Sequence, residues 1–296
     1  MVLFAILFSL LIERVWDALA DLRSPVWFER YADRARHRLG ADRLWDGPLG
    51  VFLILLLPLL AVALVQLALA AMLGLLAFVF AVLVLLFSLG PRDLESDVQR
   101  FLAAWEQGDQ AQARAAARHI TGLSFEPADP AALGKAVVEG ILVAAHERIV
   151  GVIFWFVILG PLGALLFRLS CVLKDKYPYA GETGGFAQAV LVLHGVLSWL
   201  PCRLTVLGYA LTGSFGDAMH RWRDEASGWA RDWLAGNRQV LVAGGLGALQ
   251  VEQELSEEET GGVSTQLVRA ALAMVWRTVL LLVVVIAVIT LASWVS

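Results

Sequence analysis

The chain has 296 residues, of which 59% are apolar, 17% charged and 10% aromatic; a soluble domain has about 45–50% apolar and about 25% charged residues. Its 23 basic and 27 acidic residues give a net charge of −4, and it holds two cysteines, which excludes a disordered chain, a basic nucleic-acid binder and a disulfide-stapled scaffold. The composition is that of a membrane protein with the lipid bilayer as its first partner.

Met1–Ile12 is apolar but shorter than the roughly 20 residues a crossing takes. No basic segment precedes it and no small-residue cleavage site follows, so 1–47 reads as a retained apolar helix followed by an Arg-rich segment. Pro48–Gly90 contains no charged side chain. As one helix it would run about 64 Å, roughly twice the hydrocarbon thickness, so 48–90 predicts a two-span hairpin turning at Gln66–Leu73. Residues 91–148 predict a cytoplasmic helical segment. Val98, Leu102 and Trp105 recur at helical spacing within Arg92–His119, Pro127–Pro130 marks a turn, and a second helix covers Ala131–His146.

Residues 149–213 predict two broken membrane helices. Ile149–Phe167 is interrupted by Gly160-Pro161-Leu162-Gly163, and Phe186–Gly213 contains His194, Pro201 and Arg203. In 214–277, Trp222, Trp229 and Trp233 share one face of an amphipathic segment, and Glu252–Glu259 reads as an acidic solvated loop. Gly244-Gly245-Leu246-Gly247 reads as a flexible loop or a phosphate cradle, though no strand precedes it and no lysine follows. Thr278–Val295 closes the chain as a span within 278–296, with Trp294 as interfacial anchor. Of the 23 basic residues, 19 fall in the three polar segments, which the positive-inside tendency assigns to the cytoplasm. The Arg168–Gly185 loop is then external, or cytoplasmic if the two middle helices re-enter. The expectation is an all-α polytopic integral protein of the inner membrane, with about five transmembrane helices plus cytoplasmic helices.

Nucleotide-cradling, dinucleotide, zincin and paired-cysteine signatures are absent. Cys171 and Cys202 read as small apolar residues. Ionisable groups inside apolar segments are costly and need partners, which points to a polar pocket made of Glu13, Arg14, Arg168, His194 and Arg203. Arginines there hold an anion or a buried carboxylate bidentately, and His194 serves as a hydrogen-bonding or titrating group. The competing reading is charge pairs that lock helix packing. Pro201 removes a backbone donor and loosens the carbonyl four residues earlier, predicting a kink beside Arg203. A second polar cluster combines Glu139 with His146, Glu147 and Arg148. It has too few ligands for a metal, and interfacial snorkelling competes with a proton-transfer role.

Leu11-Ile12-Glu13-Arg14, the long hairpin, Phe154–Leu169 (FWFVILGPLGALLFRL) and Val192–Gly213 (VLHGVLSWLPCRLTVLGYALTG) resemble the AmpE family. That resemblance implies an inner-membrane regulator linked to β-lactamase induction, antibiotic response and cell-wall recycling. It would bind a cell-wall fragment, a lipid phosphate, a protein partner or a second copy, with no catalytic residue, metal or cofactor. The same block is similar to the CobD/CbiB cobinamide-phosphate synthases, polytopic enzymes joining an amino-alcohol phosphate to a corrinoid carboxylate with ATP. Their pattern has an Arg, an Asn-Thr-Leu-Asp stretch three residues on, and later Asp-Asp before Asn-x-Ile-Pro-Ala-Arg-Leu. Arg168, Pro201, Arg203 and Leu204 match it. Cys171 stands for the first Asn, Lys174 for its Asp, His194-Gly195 for Asp-Asp and Ser198 for the last Asn. These exchanges replace groups that would hold Mg²⁺, so the resemblance implies a shared scaffold. The regulator is the leading expectation. An ATP- and Mg²⁺-dependent amide-forming enzyme and a small transporter are the alternatives.

Overall fold

Glycine and proline decide where the apolar runs turn back. In the computed structural model, which describes residues 2–15, 24–39, 45–72, 74–90, 94–122, 130–177, 184–228, 236–250 and 265–295, every regular element is a helix. Five of these helices are long and apolar enough to cross a membrane. The chain forms two units, Met1–Pro91 with Gly151–Ser198, and Arg92–Val150 with Trp199–Ser296.

The first unit holds α1 (Val2–Val15), α2 (Val26–Leu39), α3 (Pro48–Met72), α4 (Gly74–Leu89), α8 (Gly151–Leu159), α9 (Pro161–Lys176) and the first part of α10 (Gly185–Thr212). α3 ends at Met72 and α4 begins at Gly74, at the end of the window expected for the turn, and Gln66 lies within α3. α4 packs on α1, α3, α8 and α9, and α9 packs on α2 and α8. α2 buries Phe28 and Ala32 against Ile54, Leu55, Leu169, Tyr177 and Phe186. Gly160, with φ of +64°, ends α8, and Pro161 starts α9 with its φ already helical. A Cβ at Gly163 would strike the Trp155 carbonyl, so the α8–α9 turn closes only around glycine. The carboxylate of Asp46 accepts from the backbone N–H groups of Gly185 and Phe186, at 3.3 and 3.1 Å, and so caps α10 from a distant segment.

The second unit holds α5 (Leu94–Glu106), α6 (Gln110–Thr121), α7 (Pro130–Ala145), a π turn (His146–Val150), the rest of α10, α11 (Phe215–Gly228), α12 (Asn237–Ala248) and α13 (Thr265–Val295). Arg92–His119 is two helices rather than one continuous pattern. Gly108 adopts φ of +73°, and Asp109 caps α6 by accepting from Gln112 N–H at 3.0 Å. The glycine-rich run at 244–247 is neither a loop nor a cradle but part of α12. A Cβ on Gly244 or Gly245 would meet Val206 or Leu142, so glycine lets α12 approach α10 and α7 closely. Gly208 does the same for α10 and α13, where a Cβ would lie 2.5 Å from the Thr278 methyl.

Two further boundaries move. The span expected at Ile149–Phe167 runs from Ala132 to Leu159, and α9 is a separate 16-residue helix. The closing span starts at Thr265, well before Thr278. Pro127, Trp229, Trp233 and Glu252–Glu259 lie outside the described residues.

Candidate functional site

In the first unit, α9 and α10 each turn a polar row inward. On α9 the row is Phe167, Ser170 and Lys174, one turn apart, with Cys171 beside Ser170; on α10 it is His194 and Ser198. All six side chains are buried. His194 Nδ1 stands 3.2 Å from Ser170 Oγ and 3.9 Å from Cys171 Sγ, while Nε2 stands 3.1 Å from Ser198 Oγ. The tautomer follows from Ser170, whose hydroxyl is already given to the Phe167 carbonyl at 2.7 Å. Ser170 Oγ therefore accepts from Nδ1–H, and Ser198 O–H donates to Nε2. The result is a directed chain, Ser198 to His194 to Ser170 to the Phe167 carbonyl. The Phe167 ring lies 5.8 Å from the imidazole.

Two cations belong to the same helix, α9. Lys174 is 2% exposed and pairs with the Asp175 carboxylate at 3.3 Å. The Arg168 guanidinium lies against Gly90, whose φ is +107°; a Cβ there would stand 3.5 Å from it. That places the charge at the C-terminal end of α4, where the helix dipole favours a cation.

The remaining expected residues fall elsewhere. Glu13 and Arg14 end α1, and their side chains lie outside the described residues. Arg203 belongs to the second unit, stacks on Trp199 at 4.2 Å, and donates to the Trp199 carbonyl at 2.7 Å and Asn237 Oδ1 at 3.1 Å. The expected break at Pro201 is absent, for α10 runs unbroken through it. The carbonyl of Leu197, denied its helical donor by the proline, accepts instead from the Trp155 indole N–H at 2.9 Å.

The secondary cluster separates into two contacts, both within the second unit. His146 Nδ1 lies 3.0 Å from Thr205 Oγ1. Arg148 donates to the buried Asp97 carboxylate at 3.3 Å and to the His119 carbonyl at 2.7 Å. Glu139 and Glu147 are half-buried. The sequence reading passed over Ser170 and Asp97. Ser170 lies seven residues after Gly163, on the same α9 face as Phe167; Asp97 lies in an apolar helical pattern, and that misplacement was its only signal.

Among the described residues no group of three His, Cys, Asp or Glu side chains converges to hold a metal ion. Around His194 stand two hydroxyls and a thiol, a donor set that does not suit Mg²⁺.

This architecture defines an all-α, multi-pass membrane protein with a buried polar cluster between two of its helices. Residues 2–253 match the family model described as CobD/Cbib protein, and the chain belongs to that family. It is similar to the cobalamin biosynthesis protein CobD of Chromobacterium violaceum, at 31% identity over 61% of this chain and 57% of that one. It is also similar to the proteins of that name from Stutzerimonas stutzeri, at 28% over 57% and 55%, and Brucella suis, at 27% over 68% and 67%. The chain thus spans little more than half the length of the first two relatives. No solved structure matches it significantly. These matches overturn the leading expectation of an AmpE-type regulator of β-lactamase induction, antibiotic response and cell-wall recycling. The block from Phe154 to Gly213, read as that regulator's signature, belongs to the CobD/Cbib scaffold.

Proposed function

We propose that this chain serves cobalamin biosynthesis in the inner membrane, at the step that joins an amino-alcohol phosphate to a corrinoid carboxylate. One observation carries the reading. Arg168 and the family-pattern positions occupied here by Cys171, Lys174, His194 and Ser198 all fall on α9 and α10 of one unit, with His194 bonded to its neighbours. Arg168 and Lys174 hold the anionic group of a substrate, and the hydroxyl–imidazole chain orients or relays a proton beside it. Amide formation of this kind consumes ATP with Mg²⁺. Among the described residues no cluster of His, Cys, Asp or Glu supplies ligands for Mg²⁺, and none is assigned to it. Cys, Lys, His and Ser in place of amides and acids favour a second reading, in which the chain binds a corrinoid intermediate without turning it over.

The test is complementation of a bacterial strain lacking its own CobD-type protein, scored by growth on a corrinoid acid and by the amidated corrinoid formed in membranes. Wild-type rescue that R168A and H194A abolish, with both variants present in the membrane fraction, supports the amide-forming step. Absence of rescue at expression levels where the C. violaceum relative does rescue refutes it. Corrinoid retention by the purified chain without product selects the binding reading.

A further inference from the structure

α2 carries two faces with different tasks. Toward the protein, Phe28 and Ala32 are fully buried, Asp33 takes hydrogen bonds from Lys176 at 2.7 Å and Tyr177 at 3.0 Å, and Arg36 stacks on Tyr177 and Phe186. Toward the outside, Trp27, Tyr31, Arg34 and Arg38 recur at four-, three- and four-residue intervals and so form one row, with exposed Arg30 beside it. Half-buried Glu29 and exposed Asp33 sit off this row, so among the described residues of α2 the charges in the row are all positive.

Below the aromatic end of that row opens a groove of about 500 Å³, lined by Trp27 and Tyr31 of α2, Pro58 and Ala61 of α3, and Phe80 and Phe87 of α4, among other apolar side chains. Trp27 lies 5.9 Å from Phe87 in the last turn of α4, which sets α2 at the open end of the hairpin. From Phe87 to Phe80 the groove follows α4 for about 10 Å, against about 15 Å for one leaflet of a 30 Å hydrocarbon core. An apolar slot reaching about two thirds of the way through a leaflet, aromatic at its rim and continued by arginines, has the shape and charge of one molecule. We propose that it holds an acyl chain of an anionic phospholipid from the surrounding bilayer, with the lipid phosphate on Arg34 and Arg38. The chain fills the groove, Trp27 and Tyr31 mark the headgroup level, and the guanidinium pair takes the phosphate oxygens. A zwitterionic lipid brings a cation for which this row offers no carboxylate.

The test is a thermal-stability titration of the detergent-purified chain with phosphatidylglycerol, with phosphatidylcholine of the same acyl chains, and with inorganic phosphate. A saturable rise in Tm with phosphatidylglycerol, and little with the other two, is expected. R34Q/R38Q weakens the phosphatidylglycerol response by about 30-fold in half-saturating concentration and leaves the lipid-free Tm unchanged. A61F blocks the groove and removes the response with both arginines in place. Equal responses to the two lipids, or a full phosphatidylglycerol response in R34Q/R38Q, overturn the proposal. A response to inorganic phosphate matching the lipid's assigns the arginines to a free anion and also overturns it. If A61F is unstable, the arginine pair alone decides.

Discussion

Substituting Trp155 by Phe tests how α10 tolerates a proline in its middle. Pro201 offers no N–H to Leu197, and the indole of Trp155 replaces it at 2.9 Å. Leu197 is 7% exposed, so its carbonyl has little access to water when the indole is gone. A buried acceptor left without a partner costs about 1–3 kcal/mol, and the smaller ring adds under about 1 kcal/mol of lost contact area. The expected loss for W155F is therefore about 1–4 kcal/mol. P201A returns an N–H that reaches Leu197 along the helix. In that background W155F removes only ring contact, and the two changes couple by about 1–2 kcal/mol. Unfolding of the four proteins in mixed dodecyl maltoside and SDS micelles, followed by far-UV circular dichroism, measures the cycle. An equal cost of W155F with Pro or Ala at 201 refutes the reasoning, because the indole would then owe its effect to packing alone.

Three other outcomes are expected in the same unfolding assay. Arg148→Gln removes the ion-pair partner of the Asp97 carboxylate, 3% exposed on its side chain, at a cost of about 1.5–3 kcal/mol; adding D97N recovers part of it, and a double variant as unstable as the sum counts against a paired charge. Gly208→Val forces a side chain onto Thr278 and destabilises by about 1–3 kcal/mol, whereas G216V, at a position with no neighbouring atom within 4 Å, is expected to leave α10–α13 packing untouched. Burial alone would raise the Asp33 carboxyl, but hydrogen bonds from Lys176 and Tyr177 and the charges of Lys176 and Arg36 outweigh it and hold the group below its ordinary 3.8. Its contribution is thus complete above that value and is lost as pH falls through the lower folded one. The difference in Tm between wild type and D33N should be constant from neutral pH down to about 5 and shrink below 3.8, and at this half-exposed pair it should not exceed about 3 °C.

The membrane helices were legible because lipid leaves no other solution for long apolar runs. The α3–α4 hairpin follows from its length alone. The break falls at the end of the expected Gln66–Leu73 window rather than at Gln66, because a helix tolerates one amide and α3 continues to Met72. The start of the third span was misread for a related reason. Arg148 looked like a span boundary, yet its charge is met by Asp97 and the His119 carbonyl, 51 and 29 residues away, and no local pattern announces such partners. His194 stood out as a polar residue in an apolar helix. Ser170 did not, since a serine in a helix is ordinary until a second helix brings an imidazole to it. The Phe154–Gly213 block was recognised as a signature, but its assignment to a regulator failed, because the residues that set a scaffold do not by themselves say which reaction it carries.

Both native thiols are sealed. Cys171 lies beside His194 and Cys202 donates to the Asn237 carbonyl at 3.1 Å, each 1% exposed. A membrane-impermeant maleimide should therefore pass over the natural chain, so both cysteines can stay in place as a silent background for chemical reporters. One cysteine placed at exposed Gln107, in the turn between α5 and α6, would then announce its side of the bilayer by labelling in intact or only in opened cells. Repeated at Arg38, the same reaction would reveal which leaflet the arginine row of α2 faces.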